Sequence, residues 1–395
     1  MKILISGAGP AGLTIAYWLK RHGFTPTLIE QAPALRTGGF NLDIRGAATK
    51  VLRRMEIYES VAKASTDMQT ALLIDRKGKV IHKMHHNILR HQIGDDLEIM
   101  RSSFCQILMD QIPDVEVIFG DSIKKMTEIA GSVKVEFKKN KPREFDLVIG
   151  ADGFHSKVRK LIFGNESRFV DEFGIYYCIF TIPNYLNLDR TEMQYTEFGR
   201  LMTVWSSRGD LNAKAGFAFV SSTPVEARNI AAQQQLVRTV FEGIGGEVPK
   251  ILEMMYTSTD FYFDVTGQIH MDQWSSGRIV LVGDAAYCPA PSSGQGLSLA
   301  IVGAYILAGE LAVAQGNFQT AFDHYEQEMC QFVKINQTLG IESAKLFKLQ
   351  EKKNLFTWMI VKIMNMLPGR IMEFVSRGAT KNMHIAANSI TLKDY

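Results

Sequence analysis

Gly7, Gly9 and Gly12 stand in the run Gly7-Ala-Gly9-Pro-Ala-Gly12, between the apolar stretch Lys2-Ile-Leu-Ile-Ser6 and the helically spaced Leu13-Thr-Ile-Ala-Tyr-Trp-Leu19. Glycine at the first position permits a tight turn, at the second lets backbone approach a pyrophosphate, and at the third lets the helix lie close on the strand. The diphosphate would rest on the helix N-terminus, where unpaired N–H groups and the dipole favour an anion. Glu30 closes the next apolar run, 18 residues past Gly12. At that distance an acid reaches a ribose hydroxyl. Strand, glycines, helix and acid in this order predict a dinucleotide-binding turn.

Two further carboxylates arrive the same way. Asp146-Leu-Val-Ile-Gly-Ala-Asp152 and Arg278-Ile-Val-Leu-Val-Gly-Asp284 are apolar strands with an acid at the far end. Ligands of open α/β sheets bind at the carboxyl ends of strands, so Asp152 and Asp284 are expected to face the cofactor. Ser156 and Arg159 follow the first acid. Pro289, Pro291, Gly294 and Gly296 follow the second and open a helix whose first turns carry Ala300, Gly303, Ala304 and Ala308. Such a helix can press against a neighbour, and its N-terminus can stabilise charge on a reduced ring. A dinucleotide has two ends. Two glycine segments point to FAD, with the redox chemistry carried by the flavin and no protein nucleophile.

The elements that must position these residues read as an α/β chain. A Rossmann-like FAD-binding domain (1–69, 93–164 and 273–315) interleaves with a mostly antiparallel β-sheet substrate domain (70–92 and 165–272). C-terminal helices fill 316–395. The alternation in Tyr176–Ile182, Arg200–Trp205 and Ala215–Val220 predicts the sheet, with a helix over 232–242. Helices are expected over 47–64, from Glu98 to Met109, over 296–315 and 318–350, and over 354–377.

Composition bounds the rest. The chain has 395 residues, 46% of them hydrophobic, and a net charge of +3, too mild to imply a nucleic-acid partner. Cys105, Cys178, Cys288 and Cys330 are widely spaced, as reduced thiols of a cytoplasmic protein would be. With a first strand at Lys2, no leader peptide is expected. The apolar run Leu355–Leu367 contains Lys362 and is too short to span a bilayer, so no stable membrane insertion is expected. His82, His85, His86 and His91 lack partners at ligand spacing; a polar strand-turn is expected and no metal. Arg45 either reaches the flavin or caps a helix. Arg200 either meets a polar ligand or faces solvent. Met202 and Phe217 are candidates for an apolar pocket, although most methionines and phenylalanines must be core.

The three motifs together, GAGPAG with Glu30, Ala151-Asp152-Gly153 with Ser156 and Arg159, and Gly283-Asp284-Ala-Ala with Pro291 and Gly294-Gln-Gly296, resemble the single-component FAD-dependent monooxygenases of the aromatic hydroxylase group. The resemblance implies that Gly7, Gly9, Gly12 and Glu30 hold the ADP portion and that Arg101 contacts the cofactor. It sets Asp284 near the ribityl chain, Pro291, Gly294 and Gly296 along the flavin, and Asp152 in a motif linked to FAD and NADPH. Gly39-Phe-Asn-Leu-Asp-Ile-Arg45-Gly46, Phe180–Leu186 and Asp260–Ile269 are similar to the tetracycline-inactivating flavin monooxygenases, in the branch with an extra C-terminal helix said to gate the site. In that likeness 354–377 is the gating helix and Arg200 and Met202 lie on a strand that contacts the substrate, while Phe217 is expected there as an apolar pocket residue. Ile179 and Gly216 stand where better-known members carry glutamine and histidine.

The expected activity is NADPH- and O2-dependent insertion of one oxygen atom into a polycyclic substrate such as tetracycline, by a monomer. The alternatives are the same chemistry on a smaller phenol or polyketide, a flavin-dependent halogenase, and an FAD-binding sensor without catalysis. No GxWxWxIP stretch supports a halogenase.

Overall fold

The computed structural model describes residues 1–36, 39–197, 199–223, 225, 229–349 and 369–395. The chain opens with β1 (Lys2–Ser6), α1 (Pro10–Arg21) and β2 (Thr25–Glu30), then β3 (Asn41–Ile44). The helix expected over 47–64 is two, α2 (Ala47–Arg54) and α3 (Tyr58–Lys63). Glu56 between them takes a left-handed φ of 61°, which ends the first helix. A hairpin of β4 (Thr70–Ile74) and β5 (Val80–His85) leads into a short helix, α4 (His86–Arg90). Then come β6 (Leu97–Met100) and α5 (Arg101–Asp110). The stretch 98–100, expected as helix, is instead strand paired antiparallel with β3.

Strands β7 (Glu116–Phe119), β8 (Ile123–Ile129), β9 (Ser132–Phe137), β10 (Arg143–Phe145) and β11 (Leu147–Gly150) precede α6 (Lys157–Ile162). The second sheet is then built from β12 (Val170–Pro183), β13 (Thr191–Glu197), β14 (Arg200–Ser206) and β15 (Asn212–Val220). Two helices cover it, α7 (Ile230–Phe241) and α8 (Val248–Met255), before β16 (Tyr262–Ile269) closes it. The chain returns through β17 (Ser275–Ser276), β18 (Ile279–Leu281) and α9 (Asp284–Tyr287) to α10 (Gly296–Val313), α11 (Phe318–Leu349) and α12 (Gly369–Ala387). Most of the gating segment expected over 354–377 lies outside the described residues.

The first sheet runs β17-β18-β11-β1-β2-β7, parallel apart from edge strand β17. Both faces are covered, so its strands read as continuous apolar runs: Leu147–Gly150 is wholly buried. Helix α10 is apolar on all sides because α1, α2 and α11 surround it. It is long and apolar enough to cross a membrane, but most of it is buried inside the protein. The second sheet runs β16-β12-β15-β14-β13-β4-β5, so the hairpin at 70–85 joins strands about a hundred residues downstream.

His155, on the loop after β11, bridges the two units. Its Nδ1 lies 2.7 Å from Glu166 and its Nε2 3.2 Å from Asp264 of β16. The hydrogen bond to Asp264, against some burial and with Glu166 adding, raises its pKa from 6.5 to about 9. A raised folded value means that this contribution to stability is complete below pH 6.5 and fades as pH climbs through about 9. His155→Asn should therefore lower the melting temperature at pH 6 and leave it little changed above pH ~9.5, as a melting series over pH would read.

Candidate functional site

The glycine turn does three separate jobs. Gly7 has φ +103°, and a Cβ there would sit 2.5 Å from the Ala151 carbonyl oxygen. A Cβ on Gly12 would lie 1.9 Å from the Gly7 carbonyl oxygen. Neither position has room for a side chain, so both are matters of packing. Gly9 differs: its Cβ would meet only Arg101 Nη2, at 3.4 Å. It is also the cap of α1, which has Pro10 in its first turn and no side-chain cap. An uncapped helix start beside an open glycine and a guanidinium is a cradle for a diphosphate. Glu30 grips the same turn, accepting from Ala8 N at 3.0 Å and Ala32 N at 2.8 Å.

Arg101 opens α5 and Asp284 opens α9. The Arg101 charge acts on Asp284, whose carboxyl is pushed up by burial and pulled back by Cys288 and Arg101. A Cβ on Gly296 would lie 3.8 Å from Asp284 Oδ1. The fold thus gathers Gly9, Arg101, Asp284 and Gly296 from four distant stretches.

Asp152 behaves differently from expectation. One oxygen accepts from Ser156 Oγ at 2.5 Å; the other accepts from Lys157 N at 2.8 Å and Val158 N at 3.0 Å. Its carboxylate caps α6 instead of facing the cofactor cleft, because the first turn of α6 supplies donors right beside it. Its backbone still supports the turn, with Cα 3.0 Å from where a Gly7 Cβ would be. Arg159 is wholly buried and donates to Ala285 O at 2.9 Å and Phe154 O at 2.5 Å. It ties the loops after β11 and β18 together, a role that nothing in its spacing announced.

The loop before α10 is held in an unusual shape. Ala290 has φ 70° and ψ 150°, a conformation costly for any residue but glycine, and Pro291–Ser293 then form one 3-10 turn ending at left-handed Gly294. Ser293 Oγ donates to Ala290 O at 2.8 Å, and Ser292 Oγ donates to Gly340 O at 2.8 Å. Gln268 Nε2 donates to Pro289 O at 2.9 Å and to Gln337 O at 2.7 Å. Gln295, fully buried at the start of α10, has neither amide atom hydrogen-bonded. A buried amide without a partner is costly unless a ligand completes it.

Arg45 is buried and bridges two regions. It donates to His91 O at 2.9 Å and Arg90 O at 2.7 Å, capping α4, and pairs with Asp43 at 3.0 Å. Its Nη2 is also 3.9 Å from where a Gly294 Cβ would be, and its buried Nε has no hydrogen-bond partner. Both expectations for this residue concern one place: the helix that it caps ends beside the loop.

The three residues expected at the substrate lie on the face of the second sheet that α7 covers. Arg200 donates to Val240 O in α7 at 3.0 Å and pairs with Glu197 at 3.2 Å. Met202 and Phe217 face one another in register and are buried with Phe241 of α7, whose ring centroid is 4.6 Å from that of Phe217. All three point to the α7 side, away from the first unit. Side chains alternate along a strand, so a likeness one residue out of phase selects the wrong face. The opposite face carries Gln194, Thr203, Gly216 and Ile179 in one row across β13, β14, β15 and β12. Trp205, on that same face, donates to Asn41 of β3 at 3.2 Å, so this face is turned toward the first unit.

That face ends in buried charge. Glu192 accepts from Thr203 Oγ1 at 2.9 Å and Arg90 Nη2 at 3.0 Å, with His86 Nε2 at 2.9 Å. Burial alone would raise its carboxyl, but Arg90 foremost, with His86 and Thr203, holds it well below the usual range. Arg90 and Glu192 carried no motif, and His86 was weighed only among the histidines of a polar strand-turn. His91 turns instead to Thr380 at 3.0 Å, and among the described residues no group of His, Cys, Asp and Glu is arranged to hold a metal.

Gly9 is open beside Arg101, Gly294 lies beside Arg45 with its orphaned Nε, and the next residue, Gln295, has an orphaned amide. They fit an extended dinucleotide with a ring at one end. The class is an FAD-binding α/β protein with a β-sheet substrate unit. Comparison with known proteins agrees: residues 1–337 match the FAD binding domain family. A flavin-dependent monooxygenase of Legionella longbeachae is 41% identical over 353 residues, 89% of this chain and 91% of that protein. The crystal structure of tetracycline destructase Tet(51) superposes with a TM-score of 0.87 at 36% identity, covering 100% of this chain and 99% of that one. That of tetracycline destructase Tet(55) gives 0.86 at 36%, covering 100% and 98%. This chain belongs to the FAD-dependent monooxygenase family.

The two kinds of glycine should separate by experiment. Gly12→Ala should abolish folding, whereas Gly9→Ala should fold and bind FAD about tenfold more weakly. Thermal melting with a titration of FAD reads both. Ala290→Gly relieves the backbone and should stabilise the protein by about 1 kcal/mol in the same melts.

Proposed function

We propose that this protein inactivates tetracyclines by inserting one oxygen atom, with FAD as cofactor, NADPH as electron donor and O2 as co-substrate. The observation that carries the reading is the full-length likeness to two tetracycline destructases, which extends over the second sheet as well as the FAD-binding unit. Bound FAD supplies the oxygen-activating redox chemistry; the chain's own residues bind, orient and exclude water.

Gly7, Gly9 and Gly12 with Arg101 would cradle the diphosphate and Glu30 would take the ribose. Asp284 and Gly296 would border the ribityl chain, with Asp152 contributing through its backbone. Pro291, Gly294, Arg45 and Gln295 would frame the ring, and the N-terminus of α10 would favour negative charge on it. Across from the ring, Ile179, Gly216, Thr203 and Gln194 would form the substrate floor in place of Arg200, Met202 and Phe217. Arg90 and Glu192 would hold the polar end of that floor. We further propose a cytoplasmic monomer.

A second reading has one observation behind it. Gly216 leaves the centre of the floor bare, and a Cβ there would already lie 3.3 Å from Thr203 Cγ2. A flat phenol or polyketide would also lie on this row, with no side chain at Gly216 to contact it.

NADPH oxidation by the FAD-loaded protein should accelerate several-fold with a tetracycline, with loss of the drug chromophore and a product one oxygen atom heavier by mass. Oxidation that ignores tetracyclines but quickens with phenols or polyketides would transfer the conclusion to the second reading. Thr203→Val should raise the substrate KM by roughly fivefold with FAD affinity unchanged, corresponding to one hydrogen bond.

A further inference from the structure

Helix α12 reaches the loop that we read as flavin-lining. Met383 Cε is 3.8 Å from where a Gly294 Cβ would be, within the same narrow space as Arg45 Nη2 and Asp43 Oδ2 at 3.9 Å. Thr380 Oγ1 meets His91, next to the α4 carbonyls that Arg45 caps. At the far end of α12, Ala386 and Ala387 are buried. A Cβ on Gly46 would collide with the Ala387 carbonyl oxygen at 2.5 Å, and Asn336 donates to Ala386 O at 3.3 Å.

Six residues beyond this docked end, the chain is fastened to α10. Glu310 is a buried carboxylate in that otherwise apolar helix. It accepts from Tyr395 Oη at 2.8 Å and pairs with Lys393 at 3.1 Å, with His324 on its other oxygen at 3.1 Å. Lys393 pairs again with Glu328 at 2.8 Å. The Lys393 carbonyl accepts from both Arg54 and Tyr305 at 2.6 Å, and Arg54 pairs with Asp394 at 2.6 Å. The Tyr395 ring lies on Gly309, where a Cβ would be only 2.2 Å from it. Packing alone does not require a carboxylate on this face of α10. A charge buried there is costly unless its partners are present, so the chain holds segment 393–395 in one seat.

We propose that Glu310 is a positioning residue for the flavin site: by seating Lys393 and Tyr395 it anchors the C-terminal end of α12, and so sets Met383 against Gly294 and Arg45. The seat is distant from the ring, and its effect passes through the five residues 388–392 and the buried end of the helix. The inference rests on the reading of Gly294 as flavin-lining.

Hydrogen exchange and FAD release, measured on the full-length FAD-loaded protein, test it. In Tyr395→Ala and Lys393→Ala, peptides covering 378–388 should exchange at least about fivefold faster, with peptides from β1 and β11 unchanged. FAD should leave about five- to tenfold faster, about 1 kcal/mol, as expected when only part of the lost anchoring reaches the loop. Tyr395→Phe keeps the ring on Gly309 and removes only the hydrogen bond, so it should show a smaller part of both effects. Unchanged exchange at 378–388, or a rise there matched in β1 and β11, overturns the proposal. Faster exchange with unaltered FAD release overturns the positioning role. Gly294→Ala tells the two failures apart: if it also leaves FAD release unaltered, the reading of the flavin loop has failed; if it speeds release, the anchor alone has.

Discussion

Three chain segments meet at a point where no side chain fits. The turn after β1, the loop after β11 and the start of α1 approach at backbone contact distance, with Gly7 against Ala151 and Gly12 against Gly7. Gly283, after β18, joins them from the other side, where a Cβ would lie 3.0 Å from that of Ala11. The carboxyl ends of three neighbouring parallel strands are thereby drawn to one place, which is where an open α/β sheet binds its ligand. Arg159 keeps them there, because its buried guanidinium is paired with two loop carbonyls that would otherwise be free to separate. The open Gly9, Arg101 and Asp284 have their positions because of this contact.

The second unit is tied to the first by polar groups that would be expensive to leave unpaired. Trp205 to Asn41 and His155 to Asp264 both cross from one unit to the other. Each is at least partly withdrawn from water, so a shift of one unit against the other would strand a donor or a charge. Arg45 makes a further link. Through the α4 carbonyls and Asp43 it links the β3 ribbon, the helix below the substrate sheet and the loop before α10. A ring held against that loop and a substrate lying on the sheet face would therefore share one frame, which is what keeping water from a reactive flavin demands.

Much of the cofactor side was legible from residue types and spacing. Gly7, Gly9, Gly12 and Glu30 follow from the local geometry of a strand, a turn and a helix, in which neighbours in sequence are neighbours in space. The run from Asp284 to Gly296 is legible for the same reason, and so is the alternation that announces the second sheet. Asp152 was placed on the right loop, but the direction of its carboxylate depended on competition between a cleft and the free N–H groups of α6. The 98–100 stretch took strand form because β3 was available to pair with it, a partner more than fifty residues away.

Sequence alone therefore determined the α/β class, the strand-glycine-helix order of the first turn and the resemblance to a flavoprotein family, because each is written in short-range pattern. Tertiary structure decided which face of the second sheet is turned toward the first unit. Arg200, Met202 and Phe217 belong under α7, whereas Ile179, Gly216 and Thr203 face the first unit. A strand's two faces differ by one residue of phase, and both carry apolar side chains when both are covered. Nothing in the alternation says which covering is a helix and which is a cofactor domain. The seat of Lys393 and Tyr395 on Glu310 was equally hidden, since a lone acid in an apolar helix reveals its purpose only when the distant groups that neutralise it have been brought beside it.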